Sequence, residues 1–288
     1  MIFIIKKYFI LKLKLNIKDR NFVIIIMPII GIDVQKCSTC KECLRDCPTR
    51  NFSMDETQNL VVFNESNCIL CGHCISVCPE SAIRYKDMND EVLEFEGTQD
   101  SSTFISYEAM NKLFRAKRSI RQYKNEKVPE ESISKIINSM RYAPTGANMR
   151  NLKCVILSSK EKIDQLSDSI INVLESPDTR AVFKSSKEKG YDPIFYNAPH
   201  VLIIYSKNPY DTRNSTIAMT YGMLSAETLG LGSCWIGYAH GILSEYPQIR
   251  TKFTGIETYV LGVMTLGYPV VKYYRAPPRP PVPVREEN

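Results

Sequence analysis

The sequence predicts two domains of unlike construction: a small cysteine-rich module, then a larger domain of intermixed strands and helices, α/β or α+β. Three observations predict this. Eight of the ten cysteines fall into two runs of the same spacing. A polar, acidic stretch with one glycine, Gly97, follows at 87–103 and reads as a linker. Beyond it, apolar residues recur at helical spacing, broken by short apolar runs of strand type. At 288 residues the chain is long enough for both domains.

The chain opens on a segment with its own character. Residues 1–26 hold Lys6, Lys7, Lys12, Lys14, Lys18 and Arg20 against Asp19, a net of +5, while the whole chain carries +6. The remainder is therefore near neutral and shows no electrostatic footprint for nucleic acid. Lysines interrupt the apolar runs Met1–Ile5, Tyr8–Leu11 and Phe22–Ile26, so none approaches the ~20 apolar residues of a membrane span. A single apolar core with a small-residue cleavage site is not evident either. The expectation is that translation starts at Met27 and that 1–28 is an extension outside the folded domains. A basic amphipathic surface segment is the alternative.

The two cysteine runs come next. Residues 37–48 read Cys-Ser-Thr-Cys-Lys-Glu-Cys-Leu-Arg-Asp-Cys-Pro, and residues 68–79 read Cys-Ile-Leu-Cys-Gly-His-Cys-Ile-Ser-Val-Cys-Pro. Both are C-x2-C-x2-C-x3-C-P, the second copy 31 residues after the first. Three thiolates at this spacing converge on one iron–sulfur cube from a tight loop. Zinc is the competing reading, but zinc sites are built from separated C-x2–4-C pairs, which this pattern does not match. Over residues 29–87 the stretch resembles the two-cluster bacterial ferredoxins, in which the cysteine before the proline ligates the other cluster. The resemblance implies two [4Fe–4S] clusters, the first on Cys37, Cys40, Cys43 and Cys78 and the second on Cys68, Cys71, Cys74 and Cys47. Eight thiolates complete both, leaving His73 as a solvated loop residue. Reduced thiols point to a cytoplasmic compartment.

After the linker (88–104), Ser106 can cap a helix in which Tyr107, Met110 and Phe114 share a face. Pro129 opens a second helix with Ile133, Ile136, Ile137 and Met140 on one side. Cys154–Leu157 is a short strand, and Ile163, Leu166, Ile170 and Leu174 make another helical stripe. His200–Tyr205 is a strand, 215–229 a helix rich in small residues, and Glu257–Leu266 a strand. The Pro-rich tail from Ala276 to Val284 must run extended over a surface.

Four short segments in this second domain need a common explanation. Lys117, Arg118, Ser119, Ile120 and Arg121 place three cations and a hydroxyl where a phosphate could be gripped, although a basic helix end complementing the helix dipole has the same composition. Pro144, Thr145, Gly146 and Asn148 form a turn with hydrogen-bonding side chains, or an ordinary helix-terminating loop. Cys234, Trp235, Ile236 and Gly237 follow two glycines, where backbone could approach a flat ring; Trp235 alone reads as core. Leu266-Gly267-Tyr268-Pro269 leads to Arg275 and Arg279, which either close over the same phosphate or serve tail solubility.

Taken in order, R-S-x-R, A-P-T-G-x-N, G-L-G-S-C-W-x-G and L-G-Y-P resemble the FMN-dependent nitroreductase superfamily over residues 105–288. The whole chain resembles ferredoxin–nitroreductase fusions. The resemblance implies a dimeric α+β domain whose central, mainly antiparallel sheet is flanked by helices, with FMN at the subunit interface. It implies that Lys117 to Arg121 hold the phosphate and ribityl chain, with Arg121 toward the N1–C2=O edge. Thr145, Gly146 and Asn148 come from the other subunit, Cys234 to Gly237 line the ring, and Arg279 or Arg275 completes the phosphate site. Where many relatives read Asn-x-Gln-Pro-Trp, this chain reads Asn148-Met149-Arg150-Asn151-Leu152, and no counterpart for mid-domain flavin contacts is evident between 180 and 200.

The chemistry then belongs to the flavin, with no side chain as general acid or base. The expected path runs from an external low-potential donor such as ferredoxin, through both clusters, to FMN and an electrophilic small molecule such as a nitro compound. No G-x-G-x-x-G occurs, which argues against a dinucleotide as main donor. The alternative is a redox protein exchanging electrons with a protein partner and turning over no small substrate.

Overall fold

The computed structural model describes residues 29–64, 67–86 and 90–286. The expectations on residues 1–28 and on a start at Met27 lie outside the described residues. The chain divides into two compact units between Glu94 and Phe95.

The first unit is a duplicated half. Strand β1 (Ile29–Ile32), helix α1 (Glu42–Asp46) and strand β2 (Phe52–Asp55) recur as β3 (Leu60–Phe63), α2 (His73–Ser76) and β4 (Ile83–Tyr85). The backbone repeats as closely as the cysteines. Thr39 and Leu70, Lys41 and Gly72, and Arg50 and Ser81 are all left-handed, with φ between 48° and 77°. These turns let each loop coil back on itself. The strands pair across the halves, β1 with β4 and β2 with β3, all antiparallel. The core is small: Ile29, Phe52, Val61 and Ile83 pack with the buried Cys43 and Cys74. So little apolar area stabilises a fold weakly, and metal ligation is expected to supply much of the rest.

The second unit carries one four-stranded sheet in the order β5-β6-β8-β7. Its strands are β5 (Lys153–Leu157), β6 (His200–Ser206), β7 (Gly232–Trp235) and β8 (Tyr259–Gly267). Every neighbouring pair is antiparallel, which decides between the two classes left open by the sequence in favour of α+β. The central strands are buried on both faces. Val201, Ile203 and Val263 pack on one side against α5 (Lys160–Val173), α8 (Gly237–Glu245) and α9 (Pro247–Thr254). Leu202, Ile204, Met264 and Leu266 pack on the other against α4 (Glu130–Met140) and α7 (Thr212–Thr228). This alternation is the period-two pleat of a strand covered twice.

Three helices were not anticipated. Helix α6 (Pro177–Glu188) buries no residue, so it has no apolar stripe to read. Helix α8 begins on Gly237, where the sequence suggested only the end of an apolar stretch. Helix α9 has Pro247 in its first turn and Gly255 as a left-handed stop, signals that flank only 8 residues. The expected linker contains a 3-10 turn, Ser101–Thr103, capped by Asp100. Helix α3 (Tyr107–Ala116) is capped by Ser106 as expected but buries none of its residues; Tyr107 is 77% and Phe114 54% exposed. The tail beyond Tyr268 is irregular and largely exposed. Among the described residues, no helix is long and apolar enough to cross a membrane.

His200 opens β6 and titrates against the fold. Its Nε2 accepts from the Val128 N–H at 3.0 Å, so the ring proton sits on Nδ1, 2.7 Å from Ser158 Oγ. Protonation of Nε2 would break the first bond. Burial, helped by Lys127, lowers the pKa of His200, and burial also lowers that of His240. The unfolded chain then binds more protons than the folded one below about pH 6.5, so stability is full above that value and falls as pH drops through it. Urea unfolding followed through Trp235, the only tryptophan, should show a lower midpoint at pH 5.5 than at pH 7.5, and His200→Asn should flatten that slope.

Candidate functional site

In the first unit the thiols gather into two sets. Burial pushes the Cys43 thiol up to about 11, with Cys37, Cys40 and Cys78 adding to the effect. Burial pushes Cys74 up to about 12, with Cys68, Cys71 and Cys47 as its charged neighbours. Each buried cysteine therefore faces two thiols of its own run and the last thiol of the other run. Cys37, Cys40, Cys43 and Cys78 also line one small pocket. Among the described residues, no three His, Cys, Asp or Glu side chains gather tightly enough to hold a single metal ion.

Backbone donors already aim at the sulfurs. Cys47 Sγ accepts from Asn51 N at 3.3 Å, Cys78 Sγ from Ala82 N at 3.2 Å and Cys68 Sγ from Leu70 N at 3.4 Å. Burial opposes ionisation of Cys47, but donors from Asn51, Thr49 and Arg50 outweigh it and hold the thiol below its ordinary value. Four soft anionic ligands per set, bonded to fixed amides and crowding one another's charge, fit a cationic iron–sulfur core. His73 is exposed, with Nδ1 3.2 Å from an Asp46 carboxylate oxygen.

In the second unit the basic segment becomes an extra rung on the edge strand β7. Ser119 bridges to Ser233 in parallel, and Ile120 N donates to Ser233 O at 3.0 Å. Ile120 anchors the segment because Gly232 leaves room for it: a Cβ on that glycine would run into the Ile120 side chain. Tyr123 Oη donates to Ile120 O at 2.9 Å and lies 2.8 Å from Thr265 Oγ1, which donates to Cys234 O at 3.3 Å. Helix α7 delivers the chain to this edge through a left-handed Gly230, with Leu231 N bonded to Ala226 O and Gly230 N to Glu227 O.

The predicted residues divide in role. Lys117 turns inward: its ammonium donates to Arg118 O at 2.6 Å and Ser233 O at 3.3 Å and faces Glu227 at 3.7 Å. It ties the segment to β7 and α7. The Arg118 guanidinium donates to Lys117 O at 2.6 Å. Ser119 and Arg121 are exposed. Arg121 lies 5.8 Å over the Tyr196 ring, and its pKa is raised by a hydrogen bond to that tyrosine. Burial raises the Cys234 thiol, while Arg121, Ser119 and Lys117 oppose it, so all three stand close to the sulfur. Trp235 packs on the α4–α7 face of the sheet, as core, while Cys234 and Ile236 face the opposite side.

Pro144, Thr145, Gly146 and Asn148 do not join this cluster within one chain's described geometry. Gly146 N donates to Asn214 Oδ1 of α7 at 3.3 Å, and Thr145 Oγ1 accepts from Arg150 N at 3.2 Å. Thr145 and Arg150 rim a cavity of about 210 Å³ with Met140, Leu152 and Cys154, none of which comes from 117–121 or 233–237. Arg275 borders a groove of about 420 Å³ with Arg115 and Ala116, next to the start of the basic segment. Arg279 is exposed farther along the tail.

Residues 114–268, more than half of the chain, match the model of the Nitroreductase family. The chain belongs to the nitroreductase family. Residues 36–82 match the 4Fe-4S dicluster domain, so an iron–sulfur domain and a nitroreductase domain share one polypeptide, an oxidoreductase. Over 167 residues the chain is 26% identical to a protein of Archaeoglobus fulgidus provisionally named NADH dehydrogenase/NAD(P)H nitroreductase, covering 55% of this chain and 84% of that protein. Over 60 residues it is 37% identical to a ferredoxin of Methanothermococcus thermolithotrophicus, covering 20% of this chain and 98% of the ferredoxin. A solved nitroreductase with bound FMN from Bacteroides fragilis shares the fold, with a TM-score of 0.50 at 23% identity over 61% of this chain and 98% of that one.

Three residues near Arg121 in the nitroreductase domain escaped the sequence reading: Tyr191, Tyr196 and Tyr273. Tyr196 and Asn197 both take left-handed backbone, φ 57° and 56°. The loop is held by Asn197, whose side chain accepts from Asp192 N at 2.9 Å and donates to Gly190 O at 3.0 Å. Gly190, Pro193 and Asn197 were the available signal for a built loop, but nothing local shows that it meets a segment about 75 positions earlier.

Proposed function

We propose that this chain carries electrons from an external low-potential donor through two [4Fe–4S] clusters to FMN, and reduces a nitro compound or another electrophilic small molecule. The observation that carries the reading is the joining, in one chain, of two crossed four-thiol sets and an arginine-bearing rung on the nitroreductase sheet. Two clusters relay single electrons, and bound flavin delivers them to a substrate as a pair.

The chain's own residues would bind and orient. Ser119 and Arg121 are the exposed groups for phosphate and ring edge, and a cation there stabilises negative charge on a reduced ring. Arg275 is better placed than Arg279 to join them. Lys117 acts one step back, seating the segment. Thr145, Gly146 and Asn148 would complete the cleft from a second copy. The exposed apolar face of Phe104, Ile105, Tyr107 and Phe114 supports such a homodimer. No side chain is assigned as general acid or base, and protons for the substrate would come from solvent.

The test is anaerobic purification followed by assay of iron, acid-labile sulfide and flavin. About eight iron and one FMN per chain are expected. Reduced protein mixed with a nitroaromatic should reoxidise in a saturable manner, and reduced ferredoxin should reload it faster than NADH. Arg121→Gln should weaken FMN binding about tenfold or more with iron content unchanged, the loss of one charge-assisted hydrogen bond being worth ~1.5–3 kcal/mol. Eight iron with no flavin after reconstitution would sink the reading.

A further inference from the structure

The internal repeat sets the surroundings of the two clusters side by side. With the 31-residue offset, Thr49 and Asn51 of the first copy correspond to Glu80 and Ala82 of the second. The main chain acts alike in both: Asn51 N donates to Cys47 Sγ at 3.3 Å and Ala82 N to Cys78 Sγ at 3.2 Å. The side chains do not. Asn51 is 2% exposed, and its Nδ2 donates to Thr49 Oγ1 at 3.1 Å, a hydroxyl 3.7 Å from Cys47 Sγ. Burial raises the Cys68 thiol, and the Asn51 side chain is among the groups that oppose it, so the same amide stands near that sulfur as well. Cys47 and Cys68 belong to one set of four. The other set has a methyl group and a carboxylate at the matching places.

A donor aimed at a ligand sulfur stabilises the extra electron of a reduced cluster, and a nearby carboxylate opposes it. Two features act the other way: Cys40 is exposed where Cys71 is half-buried, and Lys41 stands where the second copy has Gly72. Water screens the exposed Lys41 and the exposed Glu80 alike, so neither charge decides the difference. The Asn51 amide is buried and reaches Cys47 through the Thr49 hydroxyl, in surroundings where a hydrogen bond is electrostatically strongest.

We propose that Asn51 makes the cluster held by Cys47, Cys68, Cys71 and Cys74 the higher-potential member of the pair, so that an electron entering the module settles there. An electron shared between the clusters would favour this one about tenfold, equivalent to ~59 mV for one electron. The proposal rests on the two-cluster reading, and the iron and sulfide content of the wild-type chain tests that reading separately.

The experiment is a potentiometric titration of the full chain, followed by electron paramagnetic resonance. Two adjacent clusters repel each other's electrons, so even equal clusters titrate in two steps that belong to the pair. The variants decide. Asn51→Ala should lower the first step, because the favoured cluster takes the first electron. Were the clusters equal, the same change would lower the second step and leave the first in place, which would overturn the proposal. Ala82→Asn should raise the second step in the wild-type background, and it carries the test should Asn51→Ala lose iron. A rise in the first step, or no change in either, would overturn it.

Discussion

Replacing Cys78 with alanine should empty the first cluster and spare the second, taking iron from about eight to about four per chain. Cys78 lies in the second run by sequence, so a reading by proximity along the chain predicts the opposite loss. The structure pairs β1 with β4 and β2 with β3, and it sets Cys78 among the charged neighbours of Cys43. Double variants separate the two outcomes. Cys78→Ala with Cys37→Ala should lose no more iron than Cys78→Ala alone, since both strip one cluster. Cys78→Ala with Cys71→Ala should lose nearly all of it. The reverse pattern, nearly all iron lost with Cys37→Ala and only half with Cys71→Ala, would show that the sets do not cross.

The second large effect concerns Gly232. Alanine there would drive its methyl into Ile120, a residue 4% exposed that seats the basic rung on β7. Overpacking of this kind costs ~1–3 kcal/mol. The rung is one short bridge, so it should give before the sheet does, moving Ser119 and Arg121 together. FMN affinity should fall tenfold or more while iron content stays at the wild-type value. Ile120→Ala in the same chain should recover much of both losses by making room, a coupling that a double-mutant cycle measures. Unchanged affinity in the single variant would mean that the seating of the rung does not govern the cleft.

What could be read in advance followed the range of each signal. The cysteine runs are local, and the crossing of the fourth thiol came with the family pattern. Ile133, Ile136 and Met140, and Ile163, Leu166 and Ile170, show a helical period within a dozen residues and are buried as expected. Helix α6 failed for the converse reason, because a helix that buries nothing prints no stripe. The stripe on α3 was present but misleading within one chain: Tyr107 and Phe114 are left exposed. At the site, composition named Lys117 and Arg121 together but could not separate their roles. Only the fold shows that Glu227 and two carbonyls occupy one ammonium while the other cation stays exposed. Tyr196 was invisible because its relation to Arg121 is made by a loop closing across the domain. Asn51 stands in plain sight beside a cysteine run, yet its meaning needs the repeat, with Ala82 as its built-in control.

The strand exchange in the small module also bears on how such a chain could arise. Ile29 is the register partner of Tyr85, so the two ends of the module lie one strand spacing apart, ~5 Å. A polypeptide that leaves a structure where it entered can be spliced onto a host at a single point. Its eight cysteines, Cys37 to Cys78, lie between those ends. The module has the build of a cassette, and its natural permutation point is the β2–β3 turn between Asp55 and Leu60. A chain opened there, with Ile29 and Tyr85 joined by a short linker, should still take up both clusters.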